Sequence, residues 1–80
     1  MRSIKLRSKG LKPGQLSPDG VIIEVNWDAL QVGMSVFIPA INLEELQKQV
    51  EEVAHMRQFR LKSAERIENA KLGVRFWRIL

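Results

Sequence analysis

Five side chains in the last third of the chain are of the types that neutralise anions and stack on rings: Arg60, Lys62, Arg66, Arg75 and Trp77. Guanidinium and ammonium groups compensate phosphates, and an indole set among them offers a flat surface to a base or a sugar. Their spacing matters as much as their types. On a strand, alternate residues share a face, so Arg60, Lys62 and Arg66 point one way on one strand and Arg75 and Trp77 one way on the next. A second basic group, Arg2, Lys5, Arg7, Lys9 and Lys12, lies at the start of the chain. The two groups describe a polyanion binder, with an arm that follows phosphates and a sheet face that carries cations and one ring. Trp77 has two possible fates: stacking on a ligand, or burial under the first hairpin or a second subunit.

Little else carries chemistry. Catalysis needs a nucleophile beside a base, paired carboxylates in a pocket, or a metal with three or more ligands. The chain has one histidine and no cysteine, and its serines sit in turns or strands without a partner. Glu51 and His55 are one helical turn apart and could touch one metal, but two ligands do not make a site. Gly10, Gly14 and Gly20 are too dispersed for a phosphate loop, and they do not lead from a strand into a helix. The expectation is a protein that is not an enzyme and holds no metal or cofactor.

Charge is segregated along the chain. Residues 1–20 carry five Lys and Arg against one Asp, residues 21–56 one against six acidic groups, and residues 57–80 seven against two. A basic arm, an acidic middle and a basic end suggest either DNA or RNA as partner, or a homo-oligomer in which unlike segments of two copies meet.

These side chains need elements to position them. Leu43, Leu46, Val50 and Val53 recur at helical spacing within Asn42 to Phe59, and Ala54 widens the stripe. Asn42 suits an N-cap, with Glu45 placed to complete a capping box and Ile41 and Leu46 at the staple positions. Before this helix, Val21–Val25 reads as a strand, residues 28–33 as a turn, and Met34–Ile38 as a second strand stopped by Pro39. Trp27 shares a face with Val21, Ile23 and Val25, which marks it as core. After the helix, Phe59–Ile67 and Gly73–Leu80 alternate as strands around a loop in which Asn69 tolerates positive φ. The order is ββαββ: an α+β domain with a small antiparallel sheet and one helix on the face bearing Leu61, Val74 and Phe76. Residues 1–20, with their Pro-Gly and Pro-Asp-Gly turns, read as a mobile basic arm, or alternatively as one that starts with a short strand docked by Ile4 and Leu6, and residues 21–80 as the single domain.

Eighty residues make one domain of marginal size, which favours oligomerisation. Cysteine is lacking, no apolar run reaches a membrane span, and the start has no secretory block, so a soluble cytoplasmic protein is expected.

Residues 27–39, with Val32-Gly33, Ser35, Phe37 and Pro39, and residues 73–79, with Gly73, Arg75, Trp77 and Arg78, together resemble a known group. It consists of small bacteriophage-encoded proteins with a Val-Gly-x-Ser-hydrophobic-Phe-hydrophobic-Pro strand and a terminal Gly-hydrophobic-Arg-hydrophobic-Trp-Arg strand. The resemblance covers about residues 27–80 and implies a phage origin, a host-cell location and an α+β domain, and it brings no catalytic residue. Where the group more often has an acidic residue, this chain has Met34, which makes that turn more apolar. Three functions fit the sequence: a phage accessory protein that binds nucleic acid, a protein-interaction module that docks on a host protein or on itself, and an oligomeric trap for a phosphorylated small ligand.

Overall fold

The structure is a computed structural model and describes residues 11–80. Asn42 caps helix α1 (Leu43–Arg57), its side chain accepting the Glu45 N–H at 3.1 Å. Acidic Glu44 and Glu45 occupy the first turn and His55 and Arg57 the last, the signs that the helix dipole favours. The helix stops where Gln58 turns left-handed and the Phe59 N–H reaches back to the Ala54 carbonyl at 2.8 Å.

Three strands, β1 (Ser35–Pro39), β2 (Leu61–Glu68) and β3 (Lys71–Arg78), form an antiparallel sheet in the order β1-β3-β2. Opposed residues of an antiparallel pair share a side, so the pairs Val36 with Phe76 and Ile38 with Val74 define the inner face. There they meet Leu46, Val50 and Val53 of α1 in one buried cluster. The domain is α+β, with one helix on one face of a small antiparallel sheet.

The first of the four expected strands does not form. Val21–Val25 contributes one bridge, Ile23 to Leu16, while Val21 and Ile22 face solvent. β-Branched residues make a strand only where a backbone partner lies alongside. Here Ile23, Glu24, Val25 and Asn26 stand across a groove of about 360 Å³ from β1. The order is therefore βαββ, and β1 pairs with β3 instead of closing a hairpin with its predecessor. Trp27 is buried as expected, but from a short 3-10 turn (Trp27–Ala29), with its indole N–H donating to the Gly14 carbonyl at 2.7 Å.

The boundary expected at residue 20 moves as well. Leu16 is 0% exposed and belongs to the core, so the second half of the supposed arm is part of the domain. Two polar contacts fix it: the Ser17 N–H donates to Gln49 Oε1 at 2.7 Å, and Asp19 accepts the Ile41 and Asn42 N–H groups at 2.9 and 2.8 Å. Asp19 thereby meets the Asn42 N–H that the capping box assigned to Glu45. With the chain entering the helix on that contact, Ile41 points outward, 83% exposed, and forms no staple with buried Leu46.

Candidate nucleic-acid interface

The outer face of the sheet follows from the same register. Ser35 opposes Trp77 and Phe37 opposes Arg75, while Lys62 opposes Trp77, Ala64 opposes Arg75 and Arg66 opposes Gly73. Lys62, Ala64, Arg66 and Glu68 of β2 therefore share one side with Arg75 and Trp77 of β3 and with Ser35 and Phe37 of β1. Arg60 extends the alternation one step before β2 and exchanges main-chain hydrogen bonds with Ile79 and Leu80. No helix or strand among the described residues packs on this side, since α1 occupies the other. All five C-terminal candidates thus lie on one open face, with Trp77 half-buried and Arg60, Lys62 and Arg66 exposed.

The five do not stand equally free. Arg75 donates from Nε and Nη2 to the two carboxylate oxygens of Glu68 at 2.7 and 2.6 Å, and from Nη1 to Ser35 Oγ at 2.7 Å. Those hydrogen bonds hold the Glu68 carboxyl below the ordinary carboxylate range against the opposing effect of desolvation, and the charges of Arg75 and Arg66 add to them. In return they raise the Arg75 guanidinium further above its ordinary value. Arg66 also approaches Glu68, at 3.4 Å, and its guanidinium lies 6.0 Å from the centre of the Trp77 ring. Arg60 and Lys62 have no side-chain partner among the described residues.

Two neighbouring cations serve the fold. Arg78 lies 3.6 Å over the Phe59 ring and donates to the Leu30 carbonyl at 2.8 Å, while Arg57 pairs with Asp28 at 2.6 Å.

Of the basic arm, Arg2, Lys5, Arg7 and Lys9 lie outside the described residues. Lys12 is exposed beside Gln49, Glu52, Val53 and Met56 of α1, on the helix layer and away from the outer sheet face.

The sequence reading missed two residues of this face. Phe37, half-buried, lies 5.9 Å from the Arg75 guanidinium, and its ring reaches over Gly73, where an added Cβ would fall 2.8 Å from Phe37 Cζ. Glu68, assigned to the loop, is the acceptor that orders Arg75. The signal for Glu68 was its even number, which puts it in phase with Lys62 and Arg66 on β2. Among the described residues no group of three or more His, Cys, Asp and Glu is placed to hold a metal, and no helix is long and apolar enough to cross a membrane.

The chain matches no protein-family model, no curated protein and no solved structure.

Proposed function

We propose that this chain is a non-enzymatic accessory protein, of bacteriophage origin by its resemblance, that binds nucleic acid through the outer face of its sheet and its basic N-terminal residues. The observation that carries the reading is the gathering of Arg60, Lys62, Arg66, Arg75 and Trp77 on one side that no helix or strand among the described residues covers. With Lys71, in phase with Arg75, that side has, among the described residues, five cations against the single carboxylate of Glu68. Arg60 and Lys62 are the free charges for phosphate, Arg66 is loosely held, and Arg75 organises the centre. Arg2, Lys5, Arg7 and Lys9 add charge from the start of the chain.

Binding built on phosphate contacts releases counterions. For three to five contacts, affinity falls roughly 20- to 130-fold on single strands, and roughly 40- to 500-fold on duplex, between about 50 and 200 mM salt. Fluorescence anisotropy with labelled random-sequence oligonucleotides measures this. Replacing Arg60 and Lys62 by Ala flattens the salt dependence, as does deleting residues 2–10. Failure to bind either single strands or duplex at low salt ends the reading.

A second reading rests on the separation of charge between layers. The helix layer, which packs on the other face of the sheet, exposes Glu44, Glu51 and Glu52, so the two layers of neighbouring copies can attract head to tail. Light scattering separates the two readings, because assembly of this kind dissolves at high salt in the absence of any oligonucleotide.

A further inference from the structure

Resting on the nucleic-acid reading, we propose that the outer sheet face takes a single strand and not a duplex, with unstacked bases on Trp77 and Phe37 and phosphates along Arg60, Lys62 and Arg66.

Three observations carry this. The first is the pair of rings. Trp77 and Phe37 stand on adjacent strands of the open face, each half-buried and each with an arginine at about 6 Å. A base can lie on such a ring only after leaving its own stack, which a duplex resists and a single strand does not. Trp77 also differs from Trp27: the Trp27 indole N–H is taken by Gly14, whereas that of Trp77 has no acceptor among the described residues.

The second is that no element among the described residues is shaped for a groove. Duplex readers insert a helix or a two-stranded ribbon into a major groove about 12 Å wide. The one α-helix among the described residues, α1, lies behind the sheet with Glu44, Glu51 and Glu52 exposed, and phosphates repel it. The β2–β3 ribbon is not free either, because β3 is the central strand and β1 is bonded along its other edge. Three strands about 4.8 Å apart, with side chains on both borders, overfill a groove of that width.

The third is the placement of charge. Arg60, just before β2, and Lys62 and Arg66 on it form a row along one edge of the sheet, while Lys71 and Arg75 lie on β3, Arg75 held by Glu68. One row of cations flanking a ring platform matches one backbone whose bases all turn to the same side. A duplex presents two backbones with its bases enclosed between them.

Anisotropy titrations at low salt with an oligothymidylate of about 15 nucleotides and a random duplex of the same length test the proposal. The expected result is tighter binding of the single strand by at least about tenfold, with partial quenching of tryptophan emission; stacking on one base is worth about that much. The quenching belongs to Trp77, because Trp27 is only 2% exposed, so Trp77→Phe abolishes it while keeping a ring on the face. Trp77→Ala weakens single-strand binding roughly 5- to 150-fold, Phe37→Ala weakens it in the same direction, and Lys48→Ala on the helix leaves it unchanged. Equal affinity for the duplex, with no quenching and no loss in Trp77→Ala, overturns the single-strand assignment and leaves nucleic-acid binding standing. No binding to either probe removes both.

Discussion

Arg75 and Glu68 meet through two short hydrogen bonds although they are not opposed in the sheet: Arg75 pairs with Ala64, and Glu68 pairs with Lys71. The same guanidinium also reaches Ser35, which pairs with Trp77, six positions along β3 from Lys71. One side chain thereby ties a residue near the end of β2 to one at the start of β1, across the central strand. Gly73, without a side chain, leaves room at the intervening position for the Phe37 ring. Arg75, Glu68 and Arg66 thus meet on the outer face, with the Phe37 ring 5.9 Å from the Arg75 guanidinium and the Trp77 ring 6.0 Å from that of Arg66.

That pair gives stability a pH dependence of known sign. The folded Glu68 carboxyl titrates below its unfolded value, chiefly through the hydrogen bonds from Arg75. Its contribution is complete above the ordinary carboxylate pKa and is lost as pH falls through the lowered folded value. Urea denaturation of wild type and Glu68→Gln therefore gives a gap in favour of wild type at about pH 7, which closes below the ordinary carboxylate range of about pH 4. A gap that persists unchanged at about pH 2 means that the carboxylate charge is not what stabilises the centre of this face.

A gain in stability is available at the hairpin tip. Asn69 and Ala70 both have positive φ, 50° and 62°, as a two-residue turn between twisted strands demands. Asparagine tolerates this conformation, whereas alanine carries the Cβ strain of a left-handed residue, about 1–2 kcal/mol. Glycine relieves it and gives back about 0.5–1 kcal/mol in unfolded-state entropy. Ala70→Gly is expected to stabilise the domain by about 0.5–1 kcal/mol, which raises Tm by several degrees in a domain of this size. Calorimetry measures it, and an unchanged or lower Tm contradicts the strain.

The parts that could be read from sequence were those fixed by neighbours along the chain. The α1 stripe, the Asn42 cap and the loop around Asn69 depend on residues within one or two turns of each other, and local pattern contains them. The side of Arg60, Lys62, Arg66, Arg75 and Trp77 followed from strand alternation alone. Phe37 did not, because its place beside Arg75 depends on β1 pairing with β3 across an intervening helix and strand. The expected hairpin with Val21–Val25 was the cheaper closure in chain entropy, and it lost to the core that β1 completes on β3. Leu16 was hidden differently. A lone leucine among Pro, Gly and Asp has no period, and only the fold shows that it fills the centre.

Leu16 and Asp19 therefore make residues 11–20 indispensable to the domain. Leu16→Ala removes a wholly buried side chain and is expected to cost about 2–5 kcal/mol, a large share of the roughly 4–12 kcal/mol that stabilises a chain of this size. Asp19→Ala frees the Ile41 and Asn42 N–H groups at the helix entrance and costs about 1 kcal/mol, with Asp19→Asn losing less because one acceptor remains. Circular dichroism through a urea titration orders the three variants. Wild-type stability after removal of residues 1–20 contradicts the assignment of Leu16 to the core.

Gly73 offers the sharpest steric test of how β1 seats on β3. A Cβ at this position would stand 2.3 Å from the Ile38 carbonyl oxygen, 2.7 Å from Pro39 Cα and 2.8 Å from Phe37 Cζ. Two of those atoms are backbone and cannot swing aside, so the β1–β3 pair must separate to admit a methyl group. Gly73→Ala is accordingly expected to cost at least about 1–3 kcal/mol, the range for overpacking in a close-packed interior. Because Phe37 lies over the same spot, the substitution also displaces the ring from the outer face. In nuclear magnetic resonance spectra the largest shift changes should fall on residues 36–39 and on Arg75, with α1 little altered. Changes spread evenly through the helix, or a variant as stable as wild type, would show that the strands are not held as closely as these distances require.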